Sequence, residues 1–96
     1  MLTGKQRAYL RGLANGLDTA VYIGKNELTD TIIMSMDEYL DAHEMVKVKI
    51  QEGVELDPKQ VANDAAVRLN AEFVQAIGRR FTLYRPSKEK QIVLPR

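Results

Sequence analysis

The stretch Val21-Tyr22-Ile23-Gly24-Lys25-Asn26-Glu27-Leu28-Thr29 reads as a short buried strand, a tight loop and the start of a helix. Two β-branched residues flank Tyr22, which is typical of a strand, and Gly24 interrupts it. Thr29 suits a helix N-cap, because its hydroxyl can accept a hydrogen bond from a free N–H group. Such a joint directs unpaired N–H groups and the positive end of a helix dipole at one point, which suits a phosphate. Lys25 lies in this loop and would add a positive charge. Most strand–loop–helix joints bind nothing, however, so a phosphate site here needs support from the rest of the chain.

The chain has 96 residues, which is enough for one small domain with a single modest core. Its composition of 45% hydrophobic and 28% charged residues is typical of a soluble globular protein. The absence of cysteine excludes disulfides and thiolate chemistry, and it fits a reducing cytoplasm. No apolar segment has the length of a signal-peptide core or a membrane span. We therefore expect a single cytoplasmic domain over residues 1–96 with no membrane association.

The net charge of +1 conceals a segregation of charge along the chain. Residues 1–26 carry a net charge of +3, residues 27–72 carry −7, and residues 73–96 carry +5. If the two basic ends fold together, the protein has one basic and one acidic face, which favours a polyanionic partner. The alternative is that basic chain ends only increase solubility.

Hydrophobic periodicity predicts seven elements in the order α-β-α-β-α-β-β. The expected helices cover about residues 3–15, 30–43 and 57–69, and the expected strands cover 21–23, 45–50, 72–77 and 81–85. Two crossover helices predict parallel pairing of the first three strands, and the final hairpin makes the four-stranded sheet mixed. We expect a two-layer α/β fold with the helices on one side of the sheet. The apolar segment 92–94 is expected either to add a strand or to cover a sheet edge.

The residues that could carry catalysis or bind a metal are few. His43 is the only histidine, and its place at a helix end favours interaction with the helix dipole over catalysis. No nucleophile–base set and no metal-ligand spacing are present. The sequence therefore predicts a protein that is not an enzyme and that uses no cofactor or metal.

Four separated stretches resemble a known family when they are taken together. They are LTGKQR at 2–7 with LRGLA at 10–14, IGKNELT at 23–29, HEMVKVKI at 43–50, and GRR at 78–80 with LYRPSKE at 83–89. In this order and at similar spacing, they resemble the CRM domain, in particular the YhbY-type bacterial proteins that consist of that domain alone. The resemblance covers nearly the whole chain.

The resemblance implies a fold like the C-terminal domain of bacterial initiation factor three. It also implies RNA binding and association with precursors of the large ribosomal subunit. The loop of the family usually reads Gly-x-x-Gly and is compared with the loop by which KH domains clamp a nucleic-acid backbone. Gly24 matches the first glycine, but Glu27 occupies the position of the second. Glycine would allow close backbone approach there, whereas glutamate adds a negative charge.

The sequence thus predicts an RNA-binding protein that assists assembly of the large ribosomal subunit, acting as a monomer. The residues expected to contact RNA are cationic or lie in the loop: Lys5, Arg7, Arg11, Gly24, Lys25, Asn26, Arg79, Arg80, Arg85 and Lys88. Tyr84 could stack on a base, but a tyrosine in a final strand is expected in the core. The alternative function is a protein–protein adaptor that docks through the acidic face of the second helix, which carries Asp37, Glu38 and Asp41.

Overall fold

A computed structural model describes residues 2–96 and contains three helices and four strands. The elements in chain order are α1 (Gly4–Ala14), β1 (Val21–Ile23), α2 (Asp30–His43), β2 (Met45–Ile50), α3 (Pro58–Leu69), β3 (Glu72–Ile77) and β4 (Arg80–Tyr84). The predicted element order and the four-stranded mixed sheet are confirmed, with each boundary within one residue of its expected place. No helix within the described residues is long and apolar enough to cross a membrane.

Each helix begins at a residue whose side chain satisfies a free N–H group. The hydroxyl of Thr3 accepts from the N–H of Gln6 at 3.1 Å, and the Gln6 side chain accepts from the N–H of Thr3 at 3.0 Å. This reciprocal pair is a capping box, which satisfies two donors at once. Thr29 caps α2 by accepting from the N–H of Ile32 at 3.2 Å, and Asp57 caps α3. The helix starts are therefore determined locally, which explains why their positions could be predicted.

The strand order in the sheet is β1-β2-β4-β3. The prediction of parallel pairing is right for β1 and β2, but it is wrong for β2 and β3, because β4 lies between them and is antiparallel to both. The turn at Gly78, whose φ is +60°, places β4 directly beside β3. A central strand must be covered on both faces, and β4 meets this requirement because all four residues from Phe81 to Tyr84 are buried. β3 is more exposed and forms the edge.

The two faces of the sheet are covered differently. α2 and α3 cover one face, where Met36 and Leu40 pack with strand residues such as Val48. α1 lies on the opposite face, where Leu10 and Ala14 pack against Met45, Val74 and Tyr84. The expectation that all helices share one side therefore does not hold for α1. Strand residues alternate between faces, so apolar residues such as Met45 point away from α2 and α3 and need cover of their own.

The segment after β4 covers the sheet face beside α1 and adds no strand within the described residues. Ile92 and Leu94 pack into the α1 cluster, and the Gln6 side chain donates to the carbonyl of Pro95 at 3.1 Å. This decides between the two alternatives left open by the sequence. It also brings the two basic ends of the chain together. Tyr84 is in the core, as predicted, with 4% of its surface exposed.

A buried carboxylate holds this C-terminal segment in place. Glu44 follows α2 in the left-handed conformation (φ +67°) and is fully buried. Its carboxylate accepts from the N–H and the hydroxyl of Ser87 at 2.7 and 2.9 Å, and from the N–H of Ile92 at 2.6 Å. Burial acts to raise the pKa of Glu44, but these donors outweigh it, so the pKa lies below its ordinary value. Glu44 therefore stays ionised and fastens the segment to the end of α2.

Candidate functional site

Three connecting segments meet at one end of the sheet, which we call the loop end: residues 24–29, residues 51–54 and residues 78–79. The N–H of Gln51 donates to the carbonyl of Ile23, the last residue of β1, at 2.9 Å, which places the second segment beside the start of the first. The N–H of Ile50, the last residue of β2, donates to the carbonyl of Arg79 at 2.8 Å, which places the third segment beside the start of the second. The loop from the opening stretch therefore belongs to a larger surface built by β1, β2 and the β3–β4 turn.

The loop itself is a tight turn whose tip carries free backbone donors. The N–H of Glu27 donates to the carbonyl of Gly24 at 3.0 Å, so Lys25 and Asn26 form the tip of the turn. Both tip residues are exposed, and their backbone N–H groups have no acceptor among residues 2–96. An ammonium group and two free N–H groups at one turn form an arrangement that can bind an anion.

The two family glycine positions have different structural roles in this loop. A Cβ atom at Gly24 would lie 3.1 Å from Oε1 of Gln51, so glycine here permits close packing between two loops. Glu27 has a φ of +60°, a left-handed conformation that favours glycine. The second glycine of the family pattern would therefore relieve backbone strain at this position, and Glu27 carries that strain.

Arg79 lies at the loop end but uses its guanidinium to hold the backbone. It donates to the carbonyl of Ile50 at 3.1 Å, to that of Gln51 at 2.6 Å, and to that of Val54. These three carbonyls end β2 and form the following turn. The structure thus gives Arg79 a supporting role at the surface where it was expected to contact RNA.

A row of four side chains crosses the sheet near the loop end. Direct pairing places Tyr22 of β1 beside Lys49 of β2, Lys49 beside Arg80 of β4, and Arg80 beside Ile77 of β3. We call these four residues the cross-strand row. By strand alternation Lys49 shares its face with Met45, so the row lies on the α1 side of the sheet. α1 does not cover it, because Tyr22 is 53% and Ile77 is 62% exposed.

The cations of the row have only weak partners within the described residues. Lys49 forms an ion pair with Glu52 at 3.7 Å, but the Glu52 side chain is 79% exposed, so the pair contributes little. Nε of Arg80 donates to the hydroxyl of Thr19 at 3.3 Å, which positions the guanidinium without neutralising it. Lys47 lies one step further along β2 on the same face. Arg80 is exposed and both lysines are partly buried, and no strong partner among the described residues neutralises any of the three.

The three cations of α1 form a separate group on the β3 side of the sheet, because α1 packs beside that strand. Lys5 and Arg11 are exposed, and Arg11 borders a shallow pocket with Phe73 of β3. Arg7 is half-buried, and its Nε atom is buried without an acceptor among residues 2–96. These residues share a sheet face with the cross-strand row but not its end of the sheet.

Arg85 and Lys88 lie away from the loop end. The Arg85 side chain is 17% exposed and forms ion pairs with Asp37 at 2.8 Å and Asp41 at 2.9 Å. It also donates to the carbonyls of Leu69 at 2.8 Å and Asp37 at 3.1 Å, so it ties β4 to α2 and α3. Two acids of the supposed docking face of α2 are thus neutralised internally. Lys88 is exposed in a turn beside Asp41.

His43 is the last residue of α2, where the sequence placed it. Its ring lies 4.4 Å from that of Tyr39, centroid to centroid, at an interplanar angle of 40°. Among residues 2–96 no group of three or more histidine, aspartate or glutamate side chains is arranged to hold a metal ion. The arrangement of charges and donors at the loop end suits binding of an anion.

Four residues of the candidate site escaped the sequence analysis: Tyr22, Lys47, Lys49 and Ile77. Alternation along β2 already placed the two lysines together on one face. The missing information was which face the helices leave uncovered, since this depends on α1 crossing to the other side. If the uncovered face had been known, Tyr22 between the buried Val21 and Ile23 would have been recognised as an exposed aromatic residue of the candidate site.

The fold and the site define a class: a small α/β protein whose mixed sheet presents exposed cations on an open face and a donor-rich loop at one end. The family described as the CRS1 / YhbY (CRM) domain matches residues 2–85. The chain therefore belongs to the CRS1/YhbY (CRM) domain family.

Two curated relatives support this membership over nearly their full length. The chain is 42% identical to a Haemophilus influenzae protein named as an RNA-binding protein, over 99% of this chain and 96% of that one. It is 40% identical to YqeI of Bacillus subtilis, a probable RNA-binding protein, over 99% of this chain and 100% of that one. A solution structure of a hypothetical Staphylococcus aureus protein, considered to be RNA binding, superimposes with a TM-score of 0.84 at 38% identity. That match covers 99% of this chain and 100% of the other.

Proposed function

We propose that this protein is a non-catalytic RNA-binding protein that grips the RNA backbone at the loop end and the cross-strand row. The observation that carries the proposal is the convergence of Lys25, Lys49 and Arg80 with the free N–H groups of the loop tip. The names of the relatives, in bacteria and in the archaeon Methanocaldococcus jannaschii, also support RNA as the partner.

The proposed interaction needs only positioning and charge. The loop tip offers backbone donors to a phosphate oxygen, and the Lys25 ammonium adds charge at the same place. Arg80 can present a planar pair of donors to a second phosphate, since its Nε contact with Thr19 restricts its motion. Lys5 and Arg11, on the same sheet face, extend the cationic surface toward β3.

The family resemblance supports a more specific proposal about the RNA. We propose that the partner is ribosomal RNA in precursors of the large subunit, and that the protein acts as a cytoplasmic monomer in their assembly. Crosslinking in cells followed by sequencing of the attached RNA tests the partner. Enrichment of large-subunit precursor RNA is the expected result, and a uniform spread over cellular RNAs would contradict it.

The proposed monomeric state is tested separately. Sedimentation equilibrium measures the molecular mass in solution, and the mass of one chain is the expected result.

Lys25→Glu should weaken RNA binding and reduce its dependence on salt. Each neutralised phosphate of a single strand contributes about 0.7 to the slope of log affinity against log salt concentration. Loss of one contact should therefore lower that slope by about 0.7, with weaker affinity at every salt concentration. Titration of RNA into wild-type and variant protein at several salt concentrations measures both quantities.

Lys90→Glu is the matched control for this charge reversal. Lys90 is exposed in the C-terminal segment, next to Gln91, which donates to Ala42 near the end of α2. That region lies at the other end of the sheet from the loop end. An equal loss in both variants would show that only net charge matters, and it would remove the loop end from the proposal.

Glu27→Gly should tighten RNA binding and leave the protein equally or more stable. Glycine relieves the left-handed strain at φ +60° but adds freedom to the unfolded chain, so the net gain is at most about 1 kcal/mol. The substitution removes a negative charge and allows an RNA phosphate to approach the backbone more closely. Both changes should favour binding of the phosphate. Glu27→Ala separates these effects, because it removes the charge and keeps the strain. If alanine and glycine behave alike in thermal melts and in titrations, the backbone conformation plays no part.

A further inference from the structure

We propose that the cross-strand row is a binding site for single-stranded RNA, in which an unpaired base stacks on the ring of Tyr22. This inference rests on the proposed function and adds to it a substrate class and a contact that phosphate binding alone does not require. The remaining members of the row supply charge and apolar surface along the path of the strand.

Tyr22 is an exposed aromatic residue on a strand whose two other residues are buried. Its neighbours Val21 and Ile23 are buried against α2 and α3, while Tyr22 points to the open face and is 53% exposed. No other aromatic ring among residues 2–96 stacks on the ring of Tyr22. A half-exposed ring with a free face is a platform on which a base can stack.

The order of residues along the row fits a polynucleotide. The aromatic and aliphatic side chains, Tyr22 and Ile77, lie on the two outer strands, and the cations Lys49 and Arg80 lie on the two inner ones. Neighbouring strands are about 4.8 Å apart, so the row spans roughly 14 Å. Four-stranded sheets of other RNA-binding modules stack roughly two or three bases in a comparable width. Bases can therefore rest at the ends of the row while the phosphates between them meet the cations.

Charge complementarity favours RNA over an apolar partner on this face. Besides the two cations of the row, Lys47 lies on the same face and Lys25 lies two residues beyond β1. Three acids oppose these cations: Glu52, which pairs weakly with Lys49, Glu27 in the loop, and Asp18, which precedes the Thr19 that contacts Arg80. All three are exposed, so they can turn toward solvent when a phosphate binds.

The chemistry selects single strands. In a duplex each base is already stacked and paired, so its face is not available to Tyr22. Duplex RNA could still reach Lys25 and the free N–H groups through its phosphates. The row should therefore add affinity for single strands beyond the affinity that the loop end gives to any RNA.

The test compares two strands of equal charge that differ only in their bases. One is an octamer of uridylate, and the other is an abasic octamer with the same sugar-phosphate backbone. Binding of each to the full chain is measured by fluorescence anisotropy at fixed salt. Tyr22→Ala should weaken binding of the uridylate octamer by about five- to a hundredfold and leave the abasic strand unaffected. Tyr22→Phe should bind both strands like the wild type, because the ring is kept.

Tyr9→Ala is the matched control, since Tyr9 is 44% exposed on α1 and lies outside the row. It should change neither affinity. If Tyr22→Ala proves unstable by circular dichroism, Tyr22→Leu keeps the apolar bulk without the aromatic ring and is expected to show the same selective loss.

Two results would overturn the inference and leave the proposed function intact. One is an unchanged affinity for uridylate in Tyr22→Ala and Tyr22→Leu. The other is an equal loss for both strands, which would mean that Tyr22 only supports the fold. In either case wild-type protein would still bind RNA in a salt-dependent manner. If the wild type binds neither octamer nor a duplex, the proposed function fails together with the inference.

Discussion

Arg85→Ala is expected to lower the free energy of unfolding by about 2–4 kcal/mol while changing RNA affinity little. The guanidinium is mostly buried, and it joins β4 to two acids of α2 and to the last carbonyl of α3, on Leu69. Its removal leaves that carbonyl and the carbonyl of Asp37 without this donor. Because Asp37 and Asp41 are half or more exposed, water can solvate them, and this places the loss below that of a fully buried pair. Urea unfolding monitored by circular dichroism measures the effect.

Arg85→Lys is the control for charge. Lysine keeps the cation but has no planar fork, so it cannot reach two carboxylates and two carbonyls together. It should recover only a minor part of the lost stability. A marked loss of RNA affinity in a folded Arg85→Ala protein would instead return Arg85 to the list of RNA contacts that the sequence suggested.

Glu44→Gln is expected to lower the free energy of unfolding by about 1–3 kcal/mol at neutral pH. It should also remove the contribution of Glu44 to the loss of stability at acidic pH. The amide has one acceptor oxygen in place of two, so it turns an NH₂ group toward a donor of Ser87 or Ile92. The C-terminal segment should then detach from the sheet face beside α1. Hydrogen exchange of the Ile92 amide and thermal melts report the detachment and the loss of stability.

The pH dependence of this contact has a definite sign. The pKa of Glu44 is lower in the folded protein than its ordinary value of 4.5, so the folded state favours the ionised form. The stability it contributes is fully present above the ordinary value and is lost as pH falls through the folded pKa. Wild type should therefore lose stability through this acidic window, and Glu44→Gln should lose less. Glu38→Gln removes an exposed charge from α2, the helix that ends just before Glu44, and should behave like wild type. If the free energy of unfolding falls equally for wild type and Glu44→Gln as the pH is lowered, this account is contradicted.

Local patterns predicted the elements of the fold well because their causes are local. Thr3, Thr29 and Asp57 each cap the helix that follows them, and alternation in β2 sets its two faces. The strand order was harder to predict from the sequence, because the central position of β4 depends on its being covered on both faces. The side of the sheet on which α1 packs could not be predicted either. It depends on the need to bury Met45, Val74 and Tyr84, which come from three different strands.

The sequence indicated cations that lie exposed at the candidate site, but it did not distinguish them from arginines that bind groups within the protein. Lys25, Asn26 and Arg80 lie together at the loop end, as their places in turns suggested. Arg79 and Arg85 look equally basic in the sequence, but their guanidiniums bind carbonyls and carboxylates of distant segments. Only tertiary contacts separate such arginines from those that face a ligand. Tyr22 was recognised from its exposure on the sheet face that the helices leave uncovered, which the sequence does not show.

The contacts of Arg79 have a consequence for the thermodynamics of recognition. One guanidinium fastens the carbonyls of Ile50, Gln51 and Val54, so the surface beside the loop is held in shape before any ligand arrives. A preorganised surface loses little conformational entropy on association. The ordering that accompanies binding then falls on the RNA, whose flexible strand must adapt to a fixed template. Such a protein would discriminate among RNAs by how readily each one bends to its shape.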